Sequence, residues 1–482
     1  MMNSRLPLVV FFAFMAVNLS GQQLKSKNKN KIAAVATVDA IEEDLTLISD
    51  RIWEFAETAL KEEKSAKLLA DFAKQHGFRV TTGVANMPTA FIAEYGDGQP
   101  IIGVLGEYDA LPGISQKAEP EKNPLLDGAA GHGCGHNLFG PGSLGAAIAI
   151  KELIEKGKLK GTVRFYGTPA EEAVGGKLYM AQAGLFDDLS VCLDWHPDMS
   201  IQANTQSSQA MVDFNVEFHG KTAHAASDPW NGRSALDGLE LFTDGINMLR
   251  EHIKPSVRIH YVIQNGGDVP NVVPEYARLW CWIRDSKREG VEEVFSRVKD
   301  IAKGAGLMAG VNAEITNEAI SYELLVNTKG ASVLYNNLME LGDIEYTEEE
   351  NAFARKLQEN AGAKQLGLSG RAKPLTKTKP DPDNGSTDVG DVSWIVPEIT
   401  LLATTAPIAI PWHSWAVVAS GGMSIGHKGM IYSAKALAMT MVDLFENESL
   451  RQAIRDEFEM RKDGHIYKTI LPPGNPKIPS GK

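Results

Sequence analysis

The chain has 482 residues, of which 43% are hydrophobic and 23% are charged, as is typical of a globular protein with more than one core. Its formal net charge of −13 argues against a nucleic-acid partner, because nucleic-acid binding needs a clustered basic surface. We therefore expect two domains and no nucleic-acid interface.

The N-terminus has the layout of a cleavable signal peptide. Arg5 precedes a short apolar run at residues 6–19, which small and polar residues follow. We expect cleavage near Gly21 and exclude residues 1–24 from the predicted fold; an uncleaved anchor is the alternative. The sequence thus predicts an exported protein, periplasmic or secreted, with no membrane association after cleavage.

Residues 32–207 are predicted to form the first part of an α/β catalytic domain. Two amphipathic helical segments, VDAIEEDLTLISDRIWEFAE and EEKSAKLLADFAKQHGF, are followed by the short apolar strands TAFIAEYG and PIIGVLGEYDALPG. The helix GSLGAAIAIKELIEKGK and the strands GTVRFYG and LSVCLDWHPD come next. Strands that alternate with helices indicate an open, mainly parallel sheet.

The order of predicted helices and strands changes over residues 208–322, where it is β-α-β-β-α-β, the order of the ferredoxin-like unit. We interpret this segment as an insertion in the larger domain. Helices and strands alternate again over residues 323–447, the predicted second part of the catalytic domain, which ends with the predicted last helix GMIYSAKALAMTMVDLFEN. Residues 448–482 are expected to form a C-terminal tail.

Chemically capable side chains follow several of the predicted strands. Open α/β sheets bind ligands at the carboxyl ends of their strands, so these residues are expected to lie close together. Thiolate, imidazole and carboxylate form the mixed donor set that zinc and similar ions prefer. The residues concerned are Glu107, Asp109, Glu171, Glu172, Asp194, His196 and His413, with Cys134 and His136 just before a helix.

The three cysteines differ in their surroundings. Cys192 and Cys281 lie in strand-like segments and are expected to be small core residues, whereas Cys134 lies in the glycine-rich stretch GHGCGHNLF. Of the adjacent pair Glu171 and Glu172, one is expected to bind metal and the other to act as a general base.

Six ordered motifs carry a family resemblance over about residues 35 to 447. They are GEYDALPG, GHGCGHNLFG, TPAEE, HGKTAHAA with GRSALD, PNVVPE and GSTDVGDVSWIVP. The chain resembles the co-catalytic metal amidohydrolases, which include aminoacylases and glutamate carboxypeptidases, and within them the p-aminobenzoyl-glutamate and indole-acetyl amino acid hydrolase branch. The resemblance implies a zinc-peptidase-like catalytic domain with an inserted ferredoxin-like lid and dimerisation domain.

The resemblance also implies a site for two divalent metal ions, zinc or manganese. Glu171 is implied to be the general base, and Cys134 to bridge the two ions. For the last histidine ligand we choose His413, with His427 as the alternative. The implied metal ligands are Cys134, His136, Glu172, His196 and His413.

The inserted domain is implied to complete the active site of a neighbouring subunit. His224 matches a lid histidine that polarises the scissile carbonyl, while Asn271 and Arg284 match positions that hold the substrate carboxylate. A homodimer through the lid is implied, or an assembly with a second homologous subunit. Two departures stand out: Glu107 replaces the histidine of the wider His-x-Asp pattern, and Asn137 replaces an aspartate.

The expected function is a metal-dependent amidohydrolase that cleaves N-acyl or N-aroyl amino acids, or dipeptides, by metal-activated water. The expected substrates resemble p-aminobenzoyl-glutamate. The alternative is a protein of the same fold that binds peptides or acyl-amino acids without hydrolysing them. A peptidase acting on longer chains is a third interpretation.

Overall fold

A computed structural model describes residues 24–379, 385–469, 471 and 474–476, with the side chains of residues 317–319 excepted. The predicted signal peptide therefore lies, apart from Leu24, outside the described residues. Within those ranges, no helix is both long enough and apolar enough to cross a membrane.

The first part of the chain alternates helices and strands as predicted. Asn28 caps the first helix, because its side chain accepts hydrogen bonds from the backbone N–H groups of Asn30 and Lys31. The elements are α1 (Lys29–Ala40), α2 (Glu42–Phe55), α3 (Glu63–Gln75), β1 (Arg79–Thr82), β2 (Phe91–Asp97), β3 (Ile101–Gly106), α4 (His136–Glu155), β4 (Gly161–Gly167), α5 (Gly176–Gln182), β5 (Val191–Asp198) and β6 (Gln202–Ala203).

The middle of the chain forms a second, four-stranded antiparallel sheet in the order β10-β7-β9-β8. Its two helices pack on the sheet around buried Phe214, Phe218 and Phe242. This is the predicted β-α-β-β-α-β order. The elements are β7 (Ala210–His219), α6 (Ala235–Leu249), β8 (Arg258–Asn265), β9 (Tyr276–Asp285), α7 (Arg288–Ala309) and β10 (Asn312–Ser321).

The chain then returns to the first unit and ends with one helix more than predicted. The remaining elements are α8 (Thr328–Leu341), α9 (Glu348–Asn360), α10 (Val389–Ser393), β11 (Glu398–Thr404), α11 (Trp415–Gly421), α12 (Ser424–Glu446) and α13 (Glu448–Lys462). The prediction of a tail from residue 448 is wrong for α13. Asn447 ends α12 and also caps α13 by accepting from Leu450 N–H, and Ile454 and Phe458 are buried.

The α/β prediction is confirmed by the large sheet, whose strand order is β1-β2-β4-β3-β5-β11-β6. The central strands β4, β3, β5 and β11 are parallel, and antiparallel pairs flank them at both edges. The carboxyl ends of the four central strands therefore meet at one edge of the sheet, where the side chains that follow them converge.

Close packing of α4 holds the start of that helix at this edge. Helices α4 and α12 pack against each other and against the central strands. Small residues of α4 allow the approach: a Cβ on Gly145 would lie 2.6 Å from Leu45 Cδ1, and one on Gly142 would lie 3.0 Å from the Trp195 ring. The first residue of α4 is His136, so the helix begins inside the predicted metal motif rather than after it.

Candidate metal centre

The structure brings the five predicted metal ligands together. Cys134, His136 and His196 present ligand atoms that all lie within 4.8 Å of one another, and so do Cys134, Glu172 and His413. Cys134 belongs to both groups, which is the arrangement expected of a bridging thiolate. The alternative, His427, lies elsewhere: its Nε2 is 2.8 Å from Asp50 Oδ1.

Glycines shape the loop that carries Cys134. A Cβ on Gly133 would lie 2.3 Å from Ile114 Cδ1, so no larger residue fits there without displacing its neighbour. Gly135 has a left-handed φ of +80°, and a Cβ there would lie 2.8 Å from Pro197 Cβ. His413 N–H donates to the Gly133 carbonyl at 3.1 Å, which ties the last histidine to this loop.

Hydrogen bonds orient both inner imidazoles. His136 Nδ1 donates to Asp109 Oδ1 at 2.9 Å, and His196 Nδ1 donates to the Pro197 carbonyl at 2.7 Å. Each ring therefore turns Nε2 toward the donor set, and His196 Nε2 lies 3.4 Å from Cys134 Sγ. Partners of this kind fix the tautomer and orientation of metal-binding histidines.

The turn after β4 sends the adjacent glutamates in different directions. Glu172 lies with Cys134 and His413, whereas Glu171 lies with Glu107 and His136. Glu172 N–H donates to Asp109 Oδ2 at 2.9 Å, so one aspartate holds both this turn and the His136 ring. Burial, reinforced by Glu107, raises the pKa of Glu171 well above its usual range, and burial raises the pKa of Glu172 to about 7.

The buried polar atoms of the cluster fit a divalent metal ion. Within the described residues, several atoms are buried and have no hydrogen-bond partner, which is costly unless a cation satisfies them. Burial and the Glu172 carboxylate raise the pKa of the Cys134 thiol, but a coordinated metal deprotonates a thiol outright. The unpartnered atoms are Glu107 Oε2, His136 Nε2 and Glu172 Oε1.

A cleft of about 430 Å³ opens beside this cluster, and Arg284 of the second sheet lines it together with Cys134, Glu171 and Glu172. Arg284 is partly buried, and its guanidinium lies 4.8 Å from the centroid of the Trp282 ring. Its Nε has no hydrogen-bond partner in the described residues. The predicted carboxylate-binding arginine is thus at the cleft.

His224 and Asn271 are not brought to this cleft. Both are exposed, and they lie beside each other, because Ala225 N–H donates to the Asn271 carbonyl at 3.0 Å. His224 Nδ1 accepts from the backbone N–H groups of Ala226 and Ser227, each at 3.2 Å. Within one chain, neither side chain is among the described residues that line the cleft.

Sequence reasoning missed a buried lysine behind the donor set. Lys177 Nζ donates to Glu107 Oε1 at 2.6 Å and to Asp388 Oδ1 at 2.7 Å, with all three side chains buried. Asp388 lies in the GSTDVGD motif, but no role for it was predicted. The available signal was a single lysine in the small and apolar stretch AVGGKLYMA.

Comparison with known proteins gives consistent matches. The model of "Peptidase family M20/M25/M40" matches residues 103–369. A p-aminobenzoyl-glutamate hydrolase subunit of Escherichia coli K12 is 38% identical over 467 residues, which cover 90% of this chain and 96% of that protein. The human Xaa-Arg dipeptidase is 29% identical over 452 residues, which cover 89% of this chain and 92% of that protein.

A solved structure shares the fold. A Bacillus subtilis protein described as a dinuclear metal binding peptidase from the M20 family matches with a TM-score of 0.57 at 17% identity, covering 85% of this chain and 99% of that one.

An α/β sheet that gathers thiol, imidazole and carboxylate donors at its carboxyl edge has the fold and the donor types of a metal-dependent enzyme. The chain belongs to the M20/M25/M40 peptidase family and is a metal-dependent amidohydrolase. The family resemblance drawn from the motifs is confirmed.

Proposed function

We propose that this enzyme hydrolyses the amide bond of N-acyl or N-aroyl amino acids of the p-aminobenzoyl-glutamate type, or of dipeptides. The observation that carries the proposal is that Arg284 lines one cleft together with Glu171 and four of the five donors, all except His136. A substrate carboxylate at Arg284 would direct the neighbouring amide toward Glu171. The names of two relatives, a p-aminobenzoyl-glutamate hydrolase subunit and an Xaa-Arg dipeptidase, support the two substrate classes.

Two divalent ions, zinc or manganese, would be held by the five clustered donors. Cys134 would be the shared ligand, since it belongs to both donor groups. When bound, such ions supply Lewis acidity, which polarises the amide carbonyl and activates water. The proposed ligands are Cys134, His136, Glu172, His196 and His413.

Glu171 is the proposed general base. It accepts a proton from the attacking water and later donates that proton to the leaving amine. Burial raises its pKa, and nearby divalent cations lower it again, which would bring the carboxylate toward the neutral range where one group serves as both base and acid.

Arg284 is proposed to bind the substrate carboxylate through its guanidinium, which Trp282 supports from one side. Arg284→Met is expected to raise KM about tenfold or more with a smaller change in kcat, because a charge-assisted hydrogen bond is lost. Steady-state kinetics on p-aminobenzoyl-glutamate measures this. Arg278→Met, on the same strand but outside the cleft, is the matched control, and an equal rise in KM there would contradict the assignment.

His224 and Asn271 are proposed to serve the active site of a second subunit, since they do not line the cleft of their own chain. The described strands leave β8 at an edge of the four-stranded sheet, with Val262 and Ile263 61% and 49% exposed. An apolar edge of this kind pairs readily with another copy. A second homologous subunit is the alternative partner, which the existence of two different p-aminobenzoyl-glutamate hydrolase subunits among the relatives supports.

Subunit complementation tests this exchange. Chains carrying Glu171→Gln are mixed with chains carrying His224→Ala under conditions that allow subunits to exchange. If His224 acts on the partner, the mixed dimer regains one intact site and amine release recovers. If activity stays absent although mass measurement shows mixed dimers, His224 does not act across subunits.

Export is also proposed, on the basis of Arg5 and the apolar run at residues 6–19. The mature protein is expected to begin near residue 22 and to be periplasmic or secreted. N-terminal sequencing of protein recovered after cell fractionation tests both points, and a cytoplasmic chain that retains Met1 would refute them.

The activity itself is tested with a substrate panel. Protein loaded with zinc or with manganese is offered p-aminobenzoyl-glutamate, N-acetyl amino acids and dipeptides that include Xaa-Arg, and free amine is measured. Release from at least one class, abolished in Glu171→Gln, is expected. No release from any member of the panel would refute the proposed substrates.

A further inference from the structure

A buried group of three charged residues lies behind the donor set, and the five proposed ligands do not explain it. Glu107, Lys177 and Asp388 are 1%, 0% and 4% exposed. Lys177 Nζ contacts both acids, and Lys177 N–H also donates to Asp388 Oδ2 at 2.9 Å. Both Asp388 oxygens and Glu107 Oε1 thus have partners. The remaining oxygen is Glu107 Oε2.

That oxygen faces His136. Glu107 Oε2 lies 3.0 Å from His136 Nε2, and neither atom has a hydrogen-bond partner in the described residues. His136 Nδ1 already donates to Asp109, so a neutral ring presents a lone pair at Nε2. Two buried lone-pair atoms this close repel each other unless a cation lies against both, which is a proton on His136 Nε2 in the metal-free protein or a metal ion in the loaded protein.

The spacing suits two ligands of one ion. Ligand atoms about 2.0–2.2 Å from the same metal ion lie roughly 3 to 3.6 Å apart in octahedral or tetrahedral geometry. Glu107, His136 and Glu171 also present ligand atoms within 4.8 Å of one another, which places Glu107 beside the proposed base.

We propose that Glu107 binds, through Oε2, the same divalent ion as His136, and that Lys177 is a positioning residue that holds the other oxygen. This inference rests on the metal centre proposed above. Lys177 offsets one of the two carboxylate charges, so a single buried negative charge is left, which a divalent ion at Glu107 would compensate. The added carboxylate makes the donor set harder and improves the binding of manganese relative to zinc.

Metal binding by Glu107→Gln tests the proposal without using activity. Metal-free protein is titrated with zinc and with manganese by calorimetry, and the Co²⁺-loaded protein is examined by absorption spectroscopy, which reports ligand number and type. At one of the two metal-binding positions, the affinity of the variant is expected to be at least about tenfold weaker than that of the wild type, and its Co²⁺ spectrum is expected to change. Lys177→Met is expected to produce a smaller loss, because Glu107 remains but turns more freely.

Glu314→Gln is the matched control, because it removes an exposed carboxylate on the second sheet; its two affinities and Co²⁺ spectrum should equal those of the wild type. Glu107→Gln leaves Lys177 paired with Asp388, so it is expected to fold, and circular dichroism checks this. If both metal affinities of Glu107→Gln lie within twofold of the wild-type values and its Co²⁺ spectrum is unchanged, the proposal is overturned.

Diffraction from metal-loaded wild-type protein is a second measurement that does not depend on the folding of a variant. An ion about 2.0–2.2 Å from Glu107 Oε2 is expected, and an ion more than 3 Å away would overturn the proposal. Because both readouts follow metal binding alone, an enzyme that fails the substrate panel but loses an ion on Glu107→Gln would refute the proposed substrates and leave this inference standing.

Discussion

Two clusters of metal-ligand residue types occur in the described chain, and only one of them has the properties of a metal centre. The second-sheet cluster consists of Glu217, His219 and Glu314. The strand-end cluster consists of three overlapping groups of three residues each: Cys134, His136 and His196; Cys134, Glu172 and His413; and Glu107, His136 and Glu171. In the second-sheet cluster, and within each group of three residues in the strand-end cluster, the ligand atoms lie within 4.8 Å of one another. Distance alone therefore does not distinguish them.

Burial and hydrogen bonding do distinguish them. In the strand-end cluster, Glu107 Oε2 and His136 Nε2 are buried without partners. In the second-sheet cluster, the His219 side chain is 43% exposed, Glu217 Oε1 accepts from Tyr276 OH at 2.9 Å, and Glu314 Oε1 accepts from Asn312 Nδ2 at 2.9 Å. Water and neighbouring donors satisfy that cluster, so it has little to gain from an ion.

The largest expected effect is on catalysis at the strand-end cluster. Glu171→Gln should lower kcat by about 10² to 10⁴-fold, because the general base is removed, while two ions remain bound. Amine release and metal analysis of the same preparation measure both quantities. Glu314→Gln, from the second-sheet cluster, is the control. Activity of Glu171→Gln within tenfold of the wild type would remove Glu171 from its proposed role.

The next largest effect is on metal retention. Cys134→Ala removes the donor common to both groups, so metal content after dialysis should fall and affinity should weaken by about tenfold to a hundredfold. Cys192→Ala, which also removes a buried thiol but lies outside the donor set, should keep its metal. Equal metal content in the two variants would show that the thiol of Cys134 is not a ligand.

A third prediction concerns His132, which lies in the same loop as Cys134 but has a different role. Its Nε2 donates to the Ile52 carbonyl at 2.9 Å, and burial lowers its pKa to about 4. In the unfolded chain a histidine has a pKa of about 6.5, so only the unfolded state gains a proton as the pH falls below that value. The stabilisation by neutral His132 is present above pH 6.5 and is lost as the pH falls toward 4.

At pH 5 this loss amounts to about 2 kcal/mol in the free energy of unfolding. His132→Gln keeps a donor for the Ile52 carbonyl but does not titrate. When the pH is lowered from 7.5 to 5, the wild type should therefore lose about 2 kcal/mol more of its free energy of unfolding than the variant loses. Denaturant unfolding of both metal-free proteins measures it. A difference that does not change with pH would contradict the burial argument.

The smallest expected effect is at the second-sheet cluster. His219→Ala should leave metal stoichiometry, zinc affinity and stability close to those of the wild type, because an exposed histidine in a solvated cluster contributes little. Calorimetric titration with zinc measures this. A loss of bound zinc in His219→Ala would show that the second-sheet cluster also binds metal, and would contradict the distinction drawn between the two clusters.

Much of the fold and the candidate site followed from local patterns. The two kinds of sheet were predicted because helix and strand periodicities differ. Candidate donors were recognised because each lies next to a strand end or helix start, and the family resemblance then reduced them to five. Helix α13 was missed, since Asn447 ends one helix and caps the next, and a local pattern does not show which of these roles continues the fold.

The sequence by itself determined the family and the α/β class and predicted the candidate donor residues, because these depend on residue type and order. Only the tertiary structure placed His413, and not His427, beside the other candidate donors, left His224 and Asn271 outside the cleft of their own chain, and joined Lys177 to Glu107. Each of these depends on which distant surfaces meet. A contact between residues 70 positions apart leaves no mark in the local sequence.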